Sequence, residues 1–290
     1  MIAVLTNPQA GRGRHRAKAQ AALAVLQEAG PVEVLSPRTR EEALEVAKAA
    51  VAGGADALVA LGGDGTVHVA LQAVGGTSTP LGIVPVGTGN DMAQCFGLPA
   101  DPAEAAKVVA RKQTKAIDLA RLSTADGAAR WFGGVLAAGF DAIVNERGNA
   151  MRWPKGPRRY DLAILVELAR LKPRRYQLVI DGKPESLEAV LFAVGNIAQY
   201  GGGMRICPQA DPQDGKLDLV WAEPVSRAKL IRIKPQVYAG THVLHEKVHQ
   251  RQAREISIDA PGIVCYADGE RIAPLPVKVT AVPGALTLFG

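Results

Sequence analysis

The sequence predicts a two-part protein: an N-terminal α/β domain with a parallel sheet and Gly-rich phosphate loops, then a mainly antiparallel, sandwich-like β domain. Short apolar runs alternate with helical stretches up to about residue 122, and three of these runs end in glycine-rich loops. Beyond that point the runs are β-rich and separated by Gly, Pro and Asp. At 290 residues the chain can form two modest domains, placed at 1–122 and 123–283, and a last strand at about 284–290 is a candidate to return to the first.

Ile2 to Thr6 reads as the first strand and leads into Asn7-Pro8-Gln9-Ala10-Gly11-Arg12-Gly13. Val32 to Leu35 is the second, and Thr39 with Glu42 three residues later predicts a capping box for a helix through Leu44 and Val46. The third, Ala57 to Leu61, runs directly into Gly62-Gly63-Asp64-Gly65-Thr66 and a helical stretch. The fourth, Leu81 to Pro85, precedes Gly87-Thr88-Gly89-Asn90-Asp91. In an open parallel sheet ligands bind beyond the carboxyl ends of the strands, where all three glycine loops fall.

Glycines there let the backbone approach phosphate oxygens, and a following helix presents free N–H groups to an anion. Asp64 inside such a loop repels phosphate unless a cation or a proton-donating hydroxyl lies between, so it points to magnesium or a general base. The plain alternative is a Gly-Asp turn joining strand to helix. There is no G-x-x-x-x-G-K-[ST] loop and no H-R-D motif, so neither a P-loop enzyme nor a protein kinase is indicated.

In the second half, Trp131 to Ala138, Tyr176 to Ile180, Val190 to Val194, Leu217 to Trp221 and Glu255 to Asp259 read as strands. Helical stretches are expected near Leu162 to Leu171 and Ser226 to Ile233. Asp268-Gly269 is a hairpin-turn signal, which does not prevent the same turn from holding a functional carboxylate. A cleft between the two domains is the natural ligand site.

The net charge of +6 favours an anionic partner. Aromatic residues make up only 4% and are not interleaved with Lys and Arg, which argues against nucleic acid. Cys95, Cys207 and Cys265 form no close pair, so neither a disulfide framework nor a thiolate zinc site is indicated and a reducing cytoplasm is expected. No apolar run reaches the roughly 18 to 20 residues needed to span a bilayer. A lipid substrate would therefore be met by peripheral visits to the inner membrane face. The cluster Arg152, Lys155, Arg158, Arg159, Arg170, Lys172, Arg174 and Arg175, with Trp153, could rest on anionic lipid, although a core-facing helix with solvated ends explains it as well. His242, His245 and His249 fall at helical spacing but lack a matching ligand set, so a solvated stretch is expected rather than a metal site.

Taken in order, these loops resemble the catalytic domain of diacylglycerol, sphingosine and ceramide kinases. The similarity continues through Gly139-Phe140-Asp141, Tyr200-Gly201-Gly202-Gly203-Met204, Asp214-Gly215-Lys216-Leu217-Asp218 and Asp268-Gly269-Glu270, covering almost the whole chain. The glycine-aspartate loop alone is shared with nicotinamide dinucleotide kinases; the ordered set points to soluble bacterial lipid kinases. The resemblance implies that ATP is held by Asn7, Pro8, Gln9, Ala10, Gly11, Thr39, Gly63, Asp64, Gly65, Thr66, Val67, His68, Val69 and Thr88. It implies a structural magnesium ion (Mg2+) on the Asp214 side chain and the carbonyls of Asp211 and Lys216, an all-oxygen set suited to that metal. Glu270 is expected as proton acceptor, with Asp268 and Asp64 as competing or cooperating carboxylates. Relatives commonly carry Glu where this chain has Val69, which puts one polar contact in doubt.

The reaction implied is transfer of the γ-phosphoryl group of ATP to the hydroxyl of diacylglycerol, giving phosphatidic acid. The alternatives are kinases of a sphingoid base, ceramide or a dinucleotide, and, from another class, a non-catalytic nucleotide- or lipid-binding regulator. The implied partners are a membrane lipid and, transiently, an anionic membrane surface, without nucleic acid. A homodimer through the β domain is a family-level expectation.

Overall fold

The computed structural model describes residues 1–6, 14–151, 153, 162–163, 166–167 and 172–290. Strands β1 (Ile2–Thr6), β2 (Val32–Leu35), β3 (Ala57–Gly62) and β4 (Leu81–Pro85) form a parallel sheet in the order β2-β1-β3-β4. Helices α1 (Arg14–Ala29), α2 (Arg40–Ala52), α3 (Asp64–Val74), α4 (Asp91–Cys95) and α5 (Pro102–Ala110) connect and cover it. All six residues of β3 are buried, which is why it reads as an unbroken apolar run rather than an alternating one. Leu58 and Ala60 enter a core with Ala47 of α2 and Leu71 of α3. Val59 and Leu61 point the opposite way, into a core with Leu26 of α1 and Val109 of α5.

The second half is the expected antiparallel β domain, but its outer sheet is continuous with the parallel one. Strand β5 (Thr114–Thr124) pairs with β6 (Ala129–Phe132) and with a 13-residue strand, β16 (Val277–Phe289). One edge of β16 follows β5. The other edge meets β4 at Leu288, in parallel, and β13 (Glu255–Asp259) through Val277 to Thr280. The register shifts between Val282 and Leu286, where Gly284 has φ of 61° and lets the strand bend from one domain into the other. Beyond β13 the sheet ends in β8 (Arg174–Ile180) and β9 (Lys183–Ala189).

A second, wholly antiparallel sheet packs on this one in the order β12-β11-β10-β7-β14-β15. Its strands are β7 (Val135–Ala137), β10 (Leu191–Gly195), β11 (Leu217–Ala222), β12 (Val248–Ala253), β14 (Val264–Ala267) and β15 (Glu270–Pro274). Leu122, Phe132, Tyr176, Phe192 and Ile256 fill the space between the sheets. Tyr176 stacks on Phe192 at 5.2 Å and donates its hydroxyl to the Ala138 carbonyl at 2.7 Å, so its polar end is satisfied inside the core. Two longer helices, α6 (Phe140–Ala150) and α7 (Arg227–Ala239), flank the sandwich; Ser226 caps α7 by accepting from the Lys229 amide.

Two expectations change. Trp131 to Ala138 is not one strand: Gly133-Gly134 divides it into β6 and β7, which lie in different sheets. The three histidines do not share a helix. His242 begins a 3-10 turn and is buried with Nε2 at 3.1 Å from the Ile206 carbonyl, while His249 lies on β12 against Trp221 and Glu223. Of the helix expected at 162–171, Leu162, Ala163, Val166 and Glu167 are helical and the rest lies outside the described residues. In the basic cluster, Lys172, Arg174 and Arg175 are exposed, as is Trp153, whereas Arg152, Lys155, Arg158, Arg159 and Arg170 lie outside the described residues. Among the described residues no helix is long and apolar enough to cross a membrane.

Candidate active site

The loops after β3 and β4 meet backbone to backbone. A Cβ on Gly87 would sit 2.6 Å from the Gly63 Cα, and one on Gly62 would sit 2.2 Å from the Thr66 hydroxyl oxygen. Only glycine fits this crossing. Asn90, in the left-handed region at φ of 58°, closes the second loop by accepting from the Gly87 amide at 3.1 Å and donating to the Gly87 carbonyl at 2.9 Å. Gly63 caps α3 without a side chain, and its carbonyl accepts from the Thr66 and Val67 amides. Gly65 lies exposed in the first turn of α3, where the positive end of the helix dipole faces outward.

Asp64 spans the two loops: Oδ1 accepts from the Met92 amide at 3.2 Å. Burial pushes its carboxyl above the usual range, opposed by the Met92 hydrogen bond and reinforced by the charge of Asp91. Asp91 is itself buried and accepts from the amides of Gly202 at 2.8 Å and Gly203 at 2.9 Å and from the Gln199 side chain at 3.2 Å. The second phosphate loop thus ends in a carboxylate that holds the glycine triplet of the β domain.

The turn between β14 and β15 supplies the opposite wall. Asp268 (φ 54°) and Gly269 (φ 80°) form its two-residue bend, both with positive φ as a tight hairpin requires. The Asp268 carboxylate is almost completely enclosed. It meets His68 Nδ1 at 2.9 Å and accepts from the Gly134 amide at 2.8 Å and the Gly133 amide at 3.3 Å. The break between β6 and β7 therefore provides two donors, and a Cβ on Gly134 would lie 2.4 Å from Asp268 Oδ1. His68 and Gln72 stand one turn apart on the same face of α3, and Gln72 exchanges hydrogen bonds with the Trp131 backbone at 2.6 and 3.0 Å. That face fastens the α/β domain to the β domain.

With Asp268 fixed, Glu270 extends over the phosphate loop. Its Oε1 is 3.4 Å from where a Cβ of Gly65 would be, and its Oε2 pairs with Arg40, the first residue of α2. Thr39 caps α2 by accepting from the Glu42 amide at 3.2 Å; Glu42 reaches back to the Arg38 amide at 2.7 Å, one residue earlier than a capping box would place it. Behind the β domain's entrance, Asp141 at the start of α6 accepts from the Tyr200 hydroxyl at 2.9 Å, and burial pushes its carboxyl up to about 6.

The expected metal turn lies elsewhere, against β5 and the bend of β16: the Gln213 side chain donates to the Ala116 carbonyl, and Asp118 accepts from the amides of Gly215 at 2.7 Å and Gly284 at 2.8 Å. Asp214 accepts from the Lys216 amide at 2.9 Å and from Gln252 at 2.9 Å, and the same Gln252 amide reaches buried Asp218 at 3.3 Å. Burial raises the Asp218 carboxyl, and Asp214 and Asp211 add to that rise. Among the described residues no group of three His, Cys, Asp or Glu forms a metal cage. Magnesium keeps several waters and needs only one or two carboxylates, so Asp214 with the carbonyls of Asp211 and Lys216 fits it as a donor set.

Of the nucleotide contacts expected from sequence, Gly63, Asp64, Gly65 and Thr88 gather at the two loops, with Thr39 at the head of α2. Thr66, Val67, His68 and Val69 are buried; Val67 and Val69 join the core, and His68 faces Asp268. Asn7, Pro8, Gln9, Ala10 and Gly11 lie outside the described residues. Sequence reasoning did not assign roles to Asp91, Gln72, Arg40 or the Gly133-Gly134 break. Asp91 was readable only as the end of the second glycine loop, Arg40 as a charge beside Thr39, and the break as a glycine pair inside an apolar run; Gln72 carried no signal.

Residues 1–122 match the diacylglycerol kinase catalytic domain, and residues 134–290 match the YegS C-terminal NAD kinase beta sandwich-like domain. A diacylglycerol kinase of Mycobacterium tuberculosis strain H37Rv is 45% identical over 292 residues, covering 99% of this chain and 94% of its own. A probable YegS-like lipid kinase of Stenotrophomonas maltophilia is 28% identical over 245 residues, covering 81% and 79%. A crystal structure of a putative diacylglycerol kinase from Bacillus anthracis superposes with a TM-score of 0.80 at 22% identity, covering 99% of this chain and 94% of that one, which establishes the shared fold.

Proposed function

Since the chain belongs to the diacylglycerol kinase catalytic-domain family of lipid kinases, we propose that it transfers the γ-phosphoryl group of ATP to the hydroxyl of diacylglycerol. The observation that carries this reading is the position of Glu270: a partly open carboxylate from the β domain stands over the first turn of α3, between the phosphate loop and the domain that must bring the acceptor.

The glycine crossing and the α3 N-terminus bind and orient the triphosphate, with Thr88 exposed beside them. The acceptor hydroxyl oxygen bonds to the γ-phosphorus while the bond to the β–γ bridging oxygen breaks, its electrons leaving with ADP. Glu270 accepts the hydroxyl proton. Asp268 is excluded from that step by its three donors and its burial; it holds the turn that aims Glu270. Asp64 orients the nucleotide end of the site through its bond to α4. Magnesium bound at Asp214, Asp211 and Lys216 would neutralise the paired charges of Asp214 and Asp218 and stiffen that turn.

The purified full chain, incubated with radiolabelled ATP, magnesium and mixed micelles, should label diacylglycerol. Labelling of a sphingoid base or ceramide instead would move the acceptor to another lipid alcohol, a reading favoured by the YegS-like relative. Folded protein that labels no lipid would overturn the proposal.

A further inference from the structure

Arg40 is the ion-pair partner of Glu270 among the described residues, and the pair crosses from the α/β domain to the β domain directly over the phosphate loop. Ion pairs as open as this one, with side-chain exposures of 44% and 28%, contribute little to stability, so its meaning lies in its location. Two neighbouring polar groups at the head of α2 are already engaged: Thr39 takes the Glu42 amide and Glu42 takes the Arg38 amide. What sets the Arg40 guanidinium apart is that its pair with Glu270 holds it over the phosphate loop, where it can meet an incoming anion. A planar, permanently charged fork suits phosphate oxygens as well as a carboxylate. Its present partner is the carboxylate that the reaction needs unencumbered.

We propose that Arg40 is a phosphate ligand held in reserve by Glu270: a nucleoside triphosphate on the α3 loop draws the guanidinium onto its terminal phosphate, and the carboxylate is released to accept the hydroxyl proton. This rests on the assignment of Glu270 as base, but the competition for one guanidinium does not. The two anions exclude each other at Arg40, so nucleotide binding and uncovering of Glu270 are linked. Without a nucleotide the carboxylate stays neutralised by its partner.

The test is equilibrium binding of ATP and ADP to the full chain without lipid, by calorimetry, across a double-mutant cycle of Arg40→Ala and Glu270→Gln. Arg40→Ala should weaken ATP by about tenfold and ADP much less, because the lost contact is to the terminal phosphate. Arg40→Lys should fall between Arg40→Ala and the natural residue. Glu270→Gln should tighten ATP, and more so with Arg40 present than with Arg40→Ala. A mere repulsion between Glu270 and phosphate would give the same gain in both backgrounds, which would overturn the proposal, as would unchanged ATP affinity in folded Arg40→Ala. Full turnover by Glu270→Gln with this coupling intact would remove the base assignment and leave the shared guanidinium standing.

Discussion

The two walls of the cleft keep their shape by different means. On the α/β side the loops after β3 and β4 lock through glycine backbones pressed together, with the Gly87 and Gly63 positions too close for any side chain. On the β side the turn carrying Glu270 is positioned by one buried carboxylate, Asp268, whose donors come from residues 134 to 200 positions away. The contacts that lock the first wall span only about 30 residues of chain, whereas those of the second join three distant segments. Binding is thus built into the wall whose locking contacts are close in sequence, and proton transfer into the one whose contacts join the domains.

The largest expected effect sharpens this division. Glu270→Gln keeps the size of the side chain but not its basicity, so turnover should fall roughly a hundredfold or more without weakened ATP binding. Steady-state kinetics with separate nucleotide-binding measurements would decide it, and near-normal turnover would place the base elsewhere. Asp268→Ala should break the β wall itself. It strands the buried Gly133 and Gly134 donors and the His68 ring, at a cost of about 3 kcal/mol in unfolding free energy, with turnover lost in parallel. Denaturant unfolding showing no loss would mean that the turn is held by other contacts.

The complementary change is Gly87→Ala. The added methyl displaces one phosphate loop from the other, so nucleotide affinity should drop by about tenfold while the β wall is undisturbed. Equal losses of binding from Gly87→Ala and Asp268→Ala would erase the distinction between the walls. The smallest effect is pH-dependent. The Asp141 carboxyl, raised to about 6, is easier to ionise in the unfolded chain, so the folded state should lose stability as pH rises from about 4 to 6 and level off above. In Asp141→Asn that part of the pH dependence of unfolding should vanish; an unaltered profile would show that the group titrates normally.

The same contrast explains what was legible in the sequence. The glycine loops after β3 and β4, the two-residue Asp-Gly turn and the unbroken apolar run of β3 are local patterns, and each appears where it was expected. His68 was legible only as part of a phosphate loop, because nothing in its neighbourhood reveals Asp268, 200 residues on. Val69 is buried where a polar contact was in question, since helical spacing turns it to the core behind the loop. The split of Trp131 to Ala138 was hidden for a related reason: Gly133-Gly134 sits inside an apolar run, and only its distant carboxylate makes the break necessary.

The strand shared by both sheets has a consequence for how the chain is made. Leu286 and Leu288 of β16 complete the core that Leu58, Leu71 and Leu81 begin, so the first domain lacks a structural member until the final strand emerges from the ribosome. At about 5 to 20 residues per second, that is roughly ten to thirty seconds after residue 122 has been added. During this interval the edge of β4 is an unpaired strand beside an open apolar core, which is the window in which a nascent chain is most exposed to chaperones and to pairing with its neighbours on the same message. Ribosome-arrested chains ending before residue 286 should therefore be cut readily by protease within the first 122 residues, and those carried past Phe289 by a linker long enough to bring β16 out of the exit tunnel should resist.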